Sequence, residues 1–498
     1  WSNILTYQTK IKKKHNLDLL VGYEINSKES DGLGTTISNF ARWDKPEVNN
    51  GVVYQSMGGS NSTTRIVSYI TRANYDYDNK YYLGASWRTD GSSRLARENR
   101  WGNFWSLSGA WRVSSESFMK PLQNWLSDLK LRVSYGVNGT LPSSYYGYMG
   151  LSSLTSNYND NPGITQSQLE NKELTWETNY NFNSGIDLGF FDNRLNVTFE
   201  YYVRTTKNLL YSRPLSLATG FSSYLANIGK LQNKGYELEI RSTNIETKDF
   251  RWSTSLNLGH NANKILKLDG DLKQVTSGTS IHKVGLPYST YYMIEFAGID
   301  PADGEPMFYK NTTDENGNLN KETTKDPRSA EKVILQCADP TITGGLGNSI
   351  SYKWFDLNFN VNFSFGAWNY DGSASKLEHG GDGTLNIPIY YRKRWQKEGD
   401  ETSIERFVVG RSISMTDYAT TRRLYSGDYV RLKNLTFGFT LPKTWTRKVG
   451  IDNIRLYASG NNLLTWAAYD YIDPESGSSP SWDTPPMRTY TFGLEVKF

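Results

Sequence analysis

The sequence predicts an all-β protein, a transmembrane antiparallel β-barrel, and three observations carry that prediction. Many stretches of about ten residues alternate apolar and polar side chains, the length of a tilted membrane strand. The connections between them alternate between long and short, as outer loops and periplasmic turns do in outer-membrane barrels. The composition is 14% aromatic with 43 glycines, so strand formers and turn formers are both abundant.

The alternation is cleanest over Trp354–Gly366, where Phe355, Leu357, Phe359, Val361, Phe363 and Phe365 share one face. Asp356, Asn358, Asn360, Asn362 and Ser364 share the other. Arg194–Arg204 and Lys130–Asn138 repeat the pattern. By this test, spanning strands lie near 3–10, 16–25, 64–77, 80–90, 102–112, 129–138, 175–189, 193–206, 228–243, 248–262, 341–352, 354–366, 425–441, 452–462 and 486–498. These are longer than the strands of a soluble sandwich, typically about 5–6 residues. No apolar run reaches the length of a membrane helix, and the low mean hydropathy of −0.61 fits a barrel, whose strands give only alternate residues to lipid.

Short connections fall near 11–15, 78–79, 190–192, 244–247, 353 and 442–451, with 113–128 longer and containing a helical turn. Long ones are expected at 26–63, 139–174, 207–227, 263–340, 367–424 and 463–485, with 91–101 the exception. Tyr291–Ile299 resembles a strand, but counting it as spanning would move a long segment to the turn side. It is therefore assigned to one long outer loop. Fifteen strands is an odd count, whereas single-chain bacterial barrels are even. Residues 1–498 are therefore expected to be the C-terminal part of a larger barrel, starting mid-wall on the outer side. The final alternation Tyr490, Phe492, Leu494, Val496, Phe498 matches a barrel-assembly signal.

The expected lipid face is nearly free of charge, as hydrocarbon demands. Strand 425–441 breaks the rule, because Arg431 and Lys433 share parity with Leu435, Phe437 and Phe439. Either a bulge shifts the register there or that half stands above the membrane. The expected inner face mixes acids such as Asp18, Glu239 and Asp356 with bases such as Arg72, Arg241 and Arg455. With no dominant sign, these charges either simply pair with one another and with an internal plug or, on a sharper reading, mark a neutral or zwitterionic cargo.

Other functions find little support. A balance of 55 basic and 51 acidic residues, net +4, does not make a nucleic-acid groove. Cys337 is the only cysteine, so no internal disulfide or thiolate metal site can form. The four histidines, His15, His260, His282 and His379, have no metal-ligand spacing. Asp300, Asp303 and Glu305, and Asp314–Asn318, read as turns rather than a calcium loop. Neither a phosphate loop nor a nucleophile elbow is present, so no enzyme, cofactor or metal is expected.

Several motifs occur in order along nearly the whole chain. They are Tyr81–Arg94, Trp101–Ser106, Leu129–Gly139, Leu174–Glu177, Gly185–Gly189, Asn227–Gly229 with Asn233–Glu237, Gly298–Pro301, Asp428–Asn434, and Ala458–Leu463 with Tyr471–Pro474. As an ordered set they resemble the SusC/RagA-type TonB-dependent outer-membrane transporters. That resemblance implies a plugged barrel of about 22 strands, with the plug and first strands absent from this sequence. It implies a bacterial outer-membrane importer of oligosaccharides or peptides, energised by TonB through the missing N-terminal region. It also implies a SusD-like lipoprotein partner, often in a dimer of transporter–lipoprotein pairs. The competing readings are a TonB-dependent metal-chelate (siderophore-type) receptor and a soluble all-β glycan-binding module.

The long loops hold many aromatics, among them Tyr145, Tyr146, Tyr390, Tyr391, Tyr469 and Trp482. Flat rings suit both sugar stacking and protein interfaces. Tyr291, Tyr292, Trp368 and Tyr370 are the candidate substrate-binding residues, because they sit close to strand mouths.

Overall fold

A computed structural model describes residues 1–159, 161–268, 270, 272–315, 317–381, 385–410, 418–476 and 484–498. Fifteen strands form one antiparallel sheet in chain order. They are β1 (Ser2–Ile11), β2 (His15–Phe40), β3 (Gly51–Tyr77), β4 (Tyr81–Ser92), β5 (Trp101–Arg112), β6 (Leu126–Thr140), β7 (Glu177–Phe190), β8 (Leu195–Lys207), β9 (Lys230–Glu246), β10 (Phe250–Lys267), β11 (Ile342–Tyr352), β12 (Phe355–Phe365), β13 (Tyr429–Thr440), β14 (Asn453–Ala467) and β15 (Thr489–Lys497). Each of the fifteen predicted strands is present. Tyr291–Ile299 forms Thr290–Ile294 and Phe296–Ile299, in two small separate sheets of the long loop.

The chain divides into two compact units. The first comprises Trp1–Glu116, Leu131–Ser184 and Arg204–Leu231. The second comprises Ser117–Lys130, Gly185–Val203 and Gln232–Phe498.

In the first unit, tight turns follow from residues that accept a left-handed backbone. Asp78 (φ 55°) and Asn79 (φ 53°) turn β3 into β4. The β2–β3 ladder departs from expectation. It runs on from Asn26↔Ile66 to Phe40↔Gly51, so the predicted loop 26–63 is mostly a two-stranded ribbon. Its Ser, Gly, Thr and Asn side chains are exposed on both faces, so no burial pattern marks it, and backbone pairing needs none. The loop side of this unit carries a small core of Leu95, Phe104, Leu174 and Trp176. Phe104 meets Trp176 edge-on at 5.2 Å. A Cβ at Gly139 would lie 2.2 Å from the Phe104 ring, so this close packing requires glycine there.

In the second unit, the Phe355–Phe365 row packs against no second sheet. Phe355 stacks on Phe437 and Phe439 of the neighbouring strand, at 5.8 and 4.9 Å, and its outer surface is open. An uncovered apolar sheet face is what a lipid-facing wall presents. On the polar face, charges pair as predicted. Arg72 meets Asp18 at 3.4 Å in the first unit; Arg241 meets Glu239 at 2.5 Å and Arg455 meets Asp356 at 2.8 Å in the second. The last pair reaches from β14 to β12 across Gly438 of β13. A Cβ on Gly438 would sit 2.2 Å from Asp356 Oδ1.

The parity break on β13 is a bulge. Asn434 faces Asn360, and the next pair is Leu432 with Val361, so Lys433 has no cross-strand partner. The ladder against β14 is irregular at the same place but in the other sense: between Leu432↔Leu464 and Asn434↔Asn461, Asn462 and Leu463 of β14 lie opposite the unpaired Lys433. Past the bulge, Val430 and Leu432 join the apolar face, and Arg431, opposite Asn362, joins the polar one.

Candidate functional site

The loops of the second unit build the candidate site on strand ends. After β12 the chain forms a short strand, Trp368–Tyr370, paired with Leu424–Ser426 just before β13. Asp371 then caps the helix Gly372–Leu377, its Oδ1 accepting the Ala374 N–H at 2.7 Å. Its Oδ2 accepts the Tyr469 hydroxyl at 3.1 Å, which ties this segment to the loop after β14. Tyr469 in turn stacks on Tyr425 at 3.8 Å.

Behind the helix lies a buried ionic network. Glu378 receives Arg423 at 2.8 Å, Arg422 at 3.6 Å and the Tyr390 hydroxyl. Glu405, fully buried, receives Arg422 and the Tyr391 hydroxyl, the latter at 2.6 Å. Burial would raise the Glu405 carboxyl, but adjacent Arg422 and Tyr391 hold it below the usual range. Burial, reinforced by Glu378 and Glu405, pushes the Tyr390 and Tyr391 phenols well up. Both therefore stay protonated donors. Two carboxylates, two guanidiniums and two phenols pair with one another, only the Arg423 Nε going without an acceptor, which is what makes such burial tolerable.

The second anchor is Arg431. Turned inward by the bulge and 2% exposed, it donates to Thr465 Oγ1 at 3.0 Å, Glu475 at 2.7 Å and Asp473 at 2.6 Å. Lys433 reaches the same Glu475 at 2.6 Å. Between the two anchored segments is a cavity of about 510 Å³. One wall holds Asp371, Ala374, Leu377, Pro388 and Tyr390; the other holds Tyr471, Ile472, Asp473, Glu475 and Ser476, with Thr484–Pro486. Tyr390 and Tyr471 approach to 5.2 Å, and Tyr471 keeps 69% of its surface open. The carboxylates are met by Arg431, Lys433 and Tyr469, so the hollow offers ring faces and hydrogen-bond acceptors at low net charge.

The predicted residues come together only in part. Tyr291 and Tyr370 form one buried cluster with Met293, and Trp368 packs against it. Tyr291 is 3% and Tyr370 8% exposed, so both rings are packed inside the loop base. Their neighbours Leu335, Ala338, Ala419 and Leu424 cover them, because apolar rings at a loop base are the core that the loop has available. Tyr292 points elsewhere: it is half-buried, with Lys332 6.0 Å from its ring. Tyr471 was visible only inside a motif, and the parity break at Arg431 was the one sequence signal of its anchor. Trp482 lies outside the described residues.

The acid-rich turns are consumed by ion pairs. Asp300 and Asp303 share Lys325 at 2.6 and 2.8 Å, which holds both below the ordinary carboxylate range. Glu305 meets Arg406 at 2.6 Å. Among the described residues, no group of three His, Cys, Asp or Glu side chains is placed to hold a metal ion.

The motifs named above meet in pairs. Asp473 of Tyr471–Pro474 binds Arg431 of Asp428–Asn434. In the first unit, Asn227 accepts the Thr175 N–H at 2.7 Å and donates to the Thr175 carbonyl at 2.9 Å, joining Asn227–Gly229 to Leu174–Glu177.

Comparison with known proteins agrees with this architecture. The family model described as TonB dependent receptor-like, beta-barrel, matches residues 2–463. TonB-dependent receptor P3 of Formosa agariphila is 33% identical over all of this chain and 52% of its own length. TonB-dependent receptor SusC of Bacteroides thetaiotaomicron is 30% identical over 87% of this chain and 44% of its own. The chain thus spans about half the length of the relatives it matches. A solved RagAB peptide transporter superposes on the whole chain with a TM-score of 0.86 at 29% identity, over 55% of that chain. An antiparallel sheet with an open apolar face, the ordered motifs and these matches lead to one conclusion: the chain belongs to the TonB-dependent receptor β-barrel family, in its SusC/RagA branch, and is an outer-membrane protein.

Proposed function

We propose that residues 1–498 are barrel wall and outer loops of a TonB-energised nutrient importer, with the plug supplied by a part of the protein outside this sequence. It works with a SusD-like surface lipoprotein, as a dimer of transporter–lipoprotein pairs, and its cargo is an oligosaccharide or a peptide. The likeness to SusC and to the RagAB peptide transporter supports this reading. The observation that carries it to particular residues is the loop cavity with Tyr390 and Tyr471 on facing walls. Rings beside carboxylates, two of which are paired with Arg431 and Lys433, suit a neutral or zwitterionic cargo, and so does a polar face whose charges are paired. Tyr291 and Tyr370 then act as the packed base beneath the cavity loop, and Trp368 and Tyr292 as partly open flanks.

The test uses cells carrying the full-length transporter and its lipoprotein, with a dye-labelled neutral heptasaccharide and a dye-labelled decapeptide as probes. Tyr471→Ala weakens binding of the transported probe by about tenfold, the worth of one aromatic stacking contact. Loss of the lipoprotein abolishes uptake of that probe. Uptake of a ferric chelate with no need of the lipoprotein would overturn the reading in favour of a metal-chelate receptor.

A further inference from the structure

We propose that Arg431 is a positioning residue for cargo: the bulge at Lys433 turns it inward, where it pins the turn carrying Asp473, Glu475 and Ser476 as a fixed wall of the loop cavity. The inference rests on that cavity being the place where cargo binds.

Three observations converge on it. The first is the bulge. An unbulged β13 would send Arg431 to the same face as Leu435 and Phe437, where lipid makes a guanidinium costly. The extra residue inverts that, and the sheet itself gains nothing, since Lys433 forgoes its place in two ladders. The second is geometry. The planar guanidinium reaches acceptors from β14 and from the turn beyond it, Thr465 with Glu475 and Asp473, at 2.6 to 3.0 Å. A fork of donors can do this; the single ammonium of lysine cannot hold all three directions at once. The third is the turn itself. Asp473 Oδ1 accepts the Glu475 N–H at 2.9 Å, and the Asp473 carbonyl accepts the Ser476 hydroxyl and N–H. The turn is therefore a rigid piece attached by its carboxylates. Without Arg431, Asp473, 10% exposed at its side chain, would be left buried without its cation, and the turn would move out to water.

The facing wall has a separate attachment, through Asp371 to Tyr469. The cavity width is thus set by two ties on the loop after β14, one at Tyr469 and one at Asp473 with Glu475. Arg431 touches none of the space itself, so its effect on cargo passes through Asp473 and Glu475.

The test uses the full-length transporter with its lipoprotein in outer membranes. Chymotrypsin cleavage after Tyr469 and Tyr471 reads the turn, and binding of the transported dye-labelled probe reads the cavity. Arg431→Gln and Asp473→Asn each speed cleavage and weaken probe binding by about tenfold or more, the loss expected for a buried charged hydrogen bond. Arg431→Lys falls between these and the parent. Asp473 lies beyond the strands of the fifteen-stranded sheet, so in Asp473→Asn barrel abundance and heat-resistant gel mobility stay at the parent level, which removes misassembly as the cause. Cleavage unchanged in both variants overturns the proposal. So does a released turn with unaltered binding. If Tyr471→Ala is then also without effect, the failure lies in assigning cargo to this cavity; if Tyr471→Ala weakens binding, it lies in the role given to Arg431.

Discussion

The strand wall and the loops of the second unit follow opposite rules. On the wall, large apolar side chains such as Phe355 and Phe365 are open to the surroundings, and the charged pair Arg455–Asp356 is partly exposed on the polar face. In the loops, Tyr391, Phe308 and Met293 are buried, and the ion pairs of Arg422 and Arg423 are buried with them. The wall answers to two solvents, one on each face. The loops must build a small interior of their own, and they have charges as well as rings to build it from. Burial of charge therefore marks where shape is fixed in the loops, and the alternating open apolar row marks the lipid side of the wall.

The sharpest way to break this contrast is Glu405→Ala. It leaves Arg422 buried without a full partner, and stability of the loop region falls by about 3–5 kcal/mol. Hydrogen exchange between residues 371 and 425 would rise while that of the wall strands stays slow. Slow exchange in both regions would show that the ionic network is dispensable. The network also sets a pH rule. Glu405 has a depressed folded value, so its contribution is present above the ordinary carboxylate range and is lost as pH falls through the folded one. Tyr390 and Tyr391 have raised values, so theirs is intact below the ordinary tyrosine value of about 10 and is lost as pH climbs beyond it. Tyrosinate absorbance followed against pH would show a group of late-titrating phenols in the parent, Tyr425 and Tyr469 among them, from which Tyr390→Phe and Tyr391→Phe each remove one.

Next in size is Phe359→Arg, at the middle of the open apolar row. It lowers folding stability in lipid vesicles by about 2–4 kcal/mol. An unchanged value would mean that this face does not meet hydrocarbon. The smallest effect is expected for Arg455→Gln. That pair is part-exposed, and its loss costs about 0.2–1 kcal/mol by denaturant titration. A loss as large as that of Glu405→Ala would erase the distinction between wall and loop.

Legibility in the sequence divides along the same line. Every wall strand could be read, because lipid on one side and a polar interior on the other impose a period of two that Phe355–Phe365 shows plainly. The bulge was legible as a broken period at Arg431 and Lys433, although its purpose was not. The ribbon from Asn26 to Thr63 was hidden because both of its faces meet water, so nothing sorts its side chains. The cavity was hidden because its walls lie about a hundred residues apart, and the choice of Asp371 by Tyr469, or of Asp473 by Arg431, is written in neither segment alone. The burial of Tyr291 and Tyr370 could not be read, because a ring at a strand mouth can serve equally as surface or as filling.

Gly438 carries a consequence for anything passing along the polar face. By lacking a side chain, it lets an acid and a base on strands that are not neighbours cancel each other over its backbone. The electric landscape of the polar face is then governed in part by a position with no charge and no polarity of its own. A single methyl there would force the two groups apart and leave an uncancelled acid and base on that face.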